Sequence, residues 1–222
     1  MKYAVLGILA VFTTIHLIDS WKDDAKKRRR TKPFLLILVL IYYLLATDSP
    51  SIMLIIALSL SWLGDVLLMP KGNKWFISGG TMFLFSHIFF AAACLLNIVT
   101  VDFNPKFLIL IIPVSCVYIA ISILTSRSIK ANLSKKMFVL MLLYLFFNTF
   151  TNICALVQLL ILKSPGALVT YIGAVLFFVS DCSLYLVRYH KNENIIFKRH
   201  FTVMLTYVLG ELLIAQGFLL LG

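Results

Sequence analysis

Four ionisable side chains interrupt otherwise apolar runs: Asp65 in "SWLGDVLLMP", His87 in "TMFLFSH", Asp181 in "FFVSDCSL" and Glu211 in "VLGELLIA". Two carboxylates with a histidine nearby are the equipment of general acid–base catalysis, in which one group gives a proton and another takes one from water. Each residue also has a plainer reading. A lone buried aspartate serves as a cap or structural pair, a lone histidine as a hydrogen-bonded strut, and a lone serine or asparagine as glue between helices. Two acids in comparable surroundings with no basic partner inside the apolar runs favour a functional pocket. Asp65 and Asp181 are therefore the candidate acid and base, and His87 would orient water or the reacting oxygen. Ser61, Gly64, Asn148, Ser180, Tyr207 and Glu211 complete the candidate pocket.

The elements that position these residues are long apolar helices. Of 222 residues 61% are hydrophobic and 13% charged, where a soluble domain carries roughly 25% charged residues. Continuous apolar runs, rather than alternating ones of about ten residues, describe a helical bundle and not a β-barrel. The expected fold is all-α, a single polytopic membrane domain over residues 1–222. Its helices are read at about 3–18, 33–47, 52–69, 75–97, 106–125, 137–162, 166–187 and 200–220. The second is short for a bilayer and needs a thinned patch or neighbours to lean on. Pro33 stands in its first turn, where the missing N–H costs nothing.

Charge sets the orientation. The break "WKDDAKKRRRTK" (21–32) and the third, fifth and seventh breaks hold all Lys and Arg except Lys2, Lys106 and Lys163. By the positive-inside rule these loops face the cytoplasm and both termini lie on the other side. The formal net charge of +11 thus reads as topology and attraction to anionic membrane lipids, not as a nucleic-acid surface. Residues 1–18 lack the preceding basic flank of a signal peptide. Cys94, Cys116, Cys154 and Cys182 sit inside apolar runs without CxxC spacing and read as small packing residues.

Helical rise converts sequence distance into depth. Asp65 precedes Lys71, and Asp181 precedes Arg188, by a distance that places both at roughly 9–10 Å from the basic end. His87, Asn148 and Glu211 fall at about 18–20 Å. Gly79, Phe83 and His87 form one stripe at i, i+4, i+8, and Gly173, Phe177 and Asp181 repeat it. Small residues let helices approach closely, so each stripe is expected to face a neighbouring helix.

The segments "GDVLLM" (64–69), "GGTMFLFSH" (79–87) and "GAVLFFVSDCSL" (173–184), with "KP" at 32–33 and "TY" at 206–207, resemble the signature segments of the YhhN-type membrane proteins, the lysoplasmalogenase family. The likeness runs along the whole chain in the family order. It departs at Phe90, where relatives tend to have Tyr, and at Glu211, where they tend to have Gln. The resemblance implies hydrolysis of the vinyl ether bond of a lysoplasmalogen, a lysophospholipid, to a fatty aldehyde and glycerophosphocholine or glycerophosphoethanolamine, without a cofactor. That reaction needs a carboxylic acid to protonate the alkene carbon and a second carboxylate to activate water. An Asp65/Asp181 pair in contact would share one proton, which leaves acid and base unassigned. The chain would then be an integral multi-pass protein, of the cytoplasmic membrane in a bacterium.

Two other readings use the same residues. A proton-coupled transporter of a lipid or small molecule also needs buried carboxylates at matched depth, although Pro113 is the sole mid-helix proline in this reading. A metal site could only combine Asp65, Asp181, Glu211 and His87, because a single histidine lies deep; no metal is expected.

Overall fold

The computed structural model describes residues 1–222. Eight α-helices run through it: α1 Lys2–Trp21, α2 Ala25–Ala46, α3 Ile52–Leu67, α4 Asn73–Leu96, α5 Leu108–Ile129, α6 Lys135–Leu162, α7 Pro165–Tyr189 and α8 His200–Leu219. Single 3-10 turns, Pro105–Phe107 and Lys130–Asn132, flank α5, and there are no strands. Serines cap three helix starts: Ser51 accepts from the Leu54 N–H, Ser134 from Met137 and Ser164 from Ala167. Each satisfies a donor that the first turn leaves unpaired.

The second helix departs from expectation. It begins at Ala25 rather than 33 and is 22 residues long, with Pro33 in its interior. Asp24 caps it, accepting from the N–H groups of Lys26 and Lys27 at 3.1 Å. The Lys27 N–H first of all holds the Asp24 carboxyl below its ordinary value. Lysine and arginine are good helix formers, so the charged stretch winds as readily as the apolar one. Pro33 lacks the N–H that would meet the Arg29 carbonyl. The Pro33 carbonyl instead receives the Trp62 indole N–H at 2.9 Å, which ties α3 to α2.

Six helices are long and apolar enough to cross a membrane. α2 falls outside that set because its first turns are basic, and α3 because it has 16 residues. α7 and α8 form the most intimate pair, α3 and α4 the next; α6 packs on α4 and α7. α5 lies at the edge, with Ile109 and Leu124 largely exposed. Phe90, Phe177, Phe178, Leu35, Leu36 and Met141 fill the interior.

Glycine sets the two close crossings. A Cβ on Gly173 would lie 2.7 Å from the Gly210 carbonyl oxygen and 2.7 Å from the Ile214 nitrogen. A Cβ on Gly79 would meet the Gly64 carbonyl oxygen at 3.0 Å. Backbone on both sides leaves nowhere for a methyl to go. One turn beyond Gly79 and Gly173, Phe83 and Phe177 meet edge to face at 6.2 Å, so the paired stripes read from the sequence converge at the bundle centre.

Gly173→Ala is expected to lower stability by about 1–3 kcal/mol through overpacking. Gly80→Ala, which points into open space, should be neutral or slightly stabilising. Thermal unfolding of the two variants in detergent separates these outcomes.

Candidate active site

Asp65 and Asp181, brought from α3 and α7, line one cavity of about 160 Å³. Its other walls include Lys32, Ser180 and Tyr207, the rings of Phe76 and Phe83, and Arg188 and His200 towards the basic end. Both carboxylates are buried, Asp65 at 2% exposure and Asp181 at 5%.

The two acids have different partners. Asp65 Oδ1 lies 3.0 Å from Lys32 Nζ in an ion pair, and Oδ2 accepts the Tyr207 hydroxyl at 2.9 Å. Asp181 has no cationic side chain of this kind. Its Oδ2 lies 3.0 Å from His87 Nε2 and accepts the Asn148 amide at 2.9 Å. Both bonds fall on one oxygen, so Oδ1 is the oxygen without a hydrogen bond. No hydrogen bond joins Asp65 to Asp181, and the pair is not bridged by a shared proton as the sequence suggested.

The surroundings fix these groups. Asn152 donates to the Asn148 side-chain oxygen at 3.2 Å and to its backbone carbonyl at 3.0 Å, which leaves the Asn148 NH2 for Asp181. The Thr151 hydroxyl donates to the His87 carbonyl at 2.8 Å and locks α6 to α4 at that level. Tyr144 stands with its hydroxyl 3.3 Å from His87 Nε2. For Nε2 to donate to Asp181, His87 must carry its proton there.

The remaining expected residues separate into walls and supports. Ser180 lines the cavity, but its hydroxyl donates to the Val203 carbonyl at 2.9 Å. Ser61 is fully buried and pairs with Ser86 at 2.7 Å, joining α3 to α4. Gly64 makes the close approach to Phe83 and Gly79. His87, Asn148 and Glu211 stand outside the cavity walls. Glu211 is fully buried, and neither carboxyl oxygen has a hydrogen-bond partner. Instead of lining the cavity, where it would meet water, His87 sets its Nε2 against Asp181 Oδ2.

Lys32 is the residue that sequence reasoning misassigned. By sequence it is a loop charge, and the two acids have no basic partner inside the apolar runs. The early start of α2 places Lys32 in the helix, and its long stem carries the ammonium inward while it remains 19% exposed. The signals were present in Asp24 as a cap and in the "KP" dipeptide. Arg188 likewise enters the sequence reading only as a loop charge.

Phe76 belongs to two spaces. It walls the carboxylate cavity and also a small, mostly apolar recess between α4 and α6 that includes Met137, Leu140, Met141 and Tyr144. No three His, Cys, Asp or Glu side chains converge as a set able to hold a metal ion. The four-residue metal alternative therefore has no cluster to rest on.

A helical bundle of membrane-crossing type with a buried polar site at its basic end is the class defined by these features. Within it, the model of the YhhN family matches residues 28–218, and the chain belongs to the YhhN family. No curated protein and no solved structure matches it.

Lys32→Gln removes the only cation paired with Asp65 and is expected to cost about 1–3 kcal/mol of stability. Lys26→Gln, on the exposed side of the same turns, should change little. Unfolding temperature in detergent, compared between the two, checks this.

Proposed function

We propose that the protein hydrolyses the vinyl ether bond of a lysoplasmalogen, releasing a fatty aldehyde and a glycerophospho-headgroup product. Membership of the YhhN family and the likeness of its signature segments to lysoplasmalogenases support the choice of substrate. The observation that carries the chemistry is that Asp65 and Asp181 wall one cavity with separate partner sets.

Asp181 is the general acid. Its Oδ2 is occupied by two hydrogen bonds, so the proton of the neutral acid resides on Oδ1. It protonates the alkene carbon and the ether oxygen becomes part of an oxocarbenium ion. Asp65, ion-paired with Lys32, is the base: it takes a proton from water as the water oxygen adds to the oxocarbenium carbon. The product is a hemiacetal, and the two carboxyls have exchanged protonation states. Collapse restores both. Asp65 returns its proton to the departing glycerol oxygen, Asp181 takes the hemiacetal hydroxyl proton, and the aldehyde forms. The net reaction consumes one water. The Tyr207 hydroxyl orients Asp65, and His87 with Asn148 orients Asp181; these three are positioning residues.

Purified protein incubated with a lysoplasmenyl lipid should release aldehyde detectable by mass spectrometry. Asp65→Asn and Asp181→Asn should each reduce turnover by at least about 10²-fold. Undiminished turnover in both variants would overturn the acid–base assignment.

A further inference from the structure

The carboxylate cavity adjoins a second one of about 240 Å³ and shares Lys32, Leu68, Arg188, His200 and Met204 with it. The walls of this vestibule come from five parts of the chain, α8 giving His200 and Met204. α2 contributes Arg28, Arg29 and Lys32, the α3–α4 connection Lys71, the end of α7 Arg188 and the end of α1 His16. No Asp or Glu is among them. Arg28 pairs with Asp23 and Lys32 with Asp65, but Arg29, Lys71 and Arg188 make no ion pair.

Orientation in a membrane accounts for basic residues on one side, not for their convergence on one cavity. Five cations around a shared space repel one another, and the repulsion is relieved by an anion. Two details point to a bound group. The Arg188 guanidinium lies 3.9 Å from the Phe76 ring centroid, a stacking that holds the planar fork in place. His16 is 1% exposed; its Nδ1 bonds Thr31 at 2.7 Å, while Nε2 is buried with no partner. A buried polar atom without a partner, in the wall of a basic cavity, calls for one.

We infer that this vestibule binds the phosphoryl group of an anionic lysophospholipid headgroup, one without a fixed positive charge. The inference rests on the lysolipid reading above and goes beyond it by naming the headgroup's charge. A phosphate here would meet Arg29, Lys71 and Arg188 through charge-assisted hydrogen bonds. The glycerol unit then passes between Lys32 and Arg188, the cations shared by the two cavities, and delivers the ether to Asp65 and Asp181. A choline or ethanolamine headgroup would instead place its ammonium among cations with no carboxylate in the walls.

The test is binding to the full-length wild-type protein in maltoside micelles, read by thermophoresis with dodecyl phosphate, dodecylphosphocholine and inorganic phosphate as probes. None of them has a vinyl ether, so turnover does not enter. Dodecyl phosphate should bind at least about tenfold more tightly than dodecylphosphocholine. Arg29→Gln, Lys71→Gln and Arg188→Gln should each weaken dodecyl phosphate by about tenfold and weaken dodecylphosphocholine, whose single phosphoryl charge is offset by its ammonium, by less. Lys26→Gln and Arg30→Gln make the same charge change outside the vestibule and should alter neither. Inorganic phosphate should compete only at much higher concentration; equal affinity for it and dodecyl phosphate would assign the site to a soluble phosphate and overturn the lipid assignment. Equal binding of the anionic and zwitterionic probes, or equal losses in the control variants, would overturn the inference outright. Selective binding without aldehyde release in the separate turnover assay would retire the hydrolase reading and leave the anion site standing.

Discussion

The ion pair between Lys32 and Asp65 is the interaction on which the basic end of the bundle depends. A carboxylate on an apolar helix is tolerated only where a partner meets it, and Asp65 receives its partners from two other helices, an ammonium from α2 and a phenol from α8. The pair therefore fixes three helices relative to one another and forms part of the wall of the carboxylate cavity. Such contacts require the helices to lie close. The glycines that bring α3 against α4 and α7 against α8 meet that requirement where any side chain would hold the backbones apart. Removing one member of a buried pair leaves the other uncompensated, which is why the arrangement is not easily reduced piece by piece.

Most of the helices could be read from hydropathy because a span in lipid must satisfy its backbone within itself. The exception is instructive. At α2 the apolar run begins at Pro33 while the helix begins at Ala25, since solvent-facing turns are set by caps and propensity rather than by burial. The same misplacement concealed Lys32, whose position relative to Asp65 depends on being helical. Depth arithmetic put Asp65 and Asp181 on one level, and they wall one cavity. It could not give the partners. His87 and Asp181 are 94 residues apart, and a histidine's part in a site follows from what its ring nitrogens touch, which sequence distance does not record.

Two residues of one type at one depth have thus acquired unlike environments. Asp65 sits between an ammonium and a phenol, Asp181 between an imidazole and a carboxamide. In a cavity of low dielectric the partners, not the carboxyl itself, decide what each group contributes. Asn152 belongs to this account although it touches neither acid. By engaging the Asn148 oxygen it settles which end of that amide faces Asp181. Glu211 stands apart, buried and with no hydrogen-bond partner on either carboxyl oxygen.

Phe76 separates the polar cavity from the recess between α4 and α6 with a single aromatic ring. If the lysolipid proposed above enters past this ring, it reaches the carboxylates from the recess between α4 and α6 without crossing bulk water. Its effective concentration is then a mole fraction among neighbouring lipids. Diluting the membrane with inert lipid would slow such a protein even at constant total substrate, whereas diluting the suspension would not.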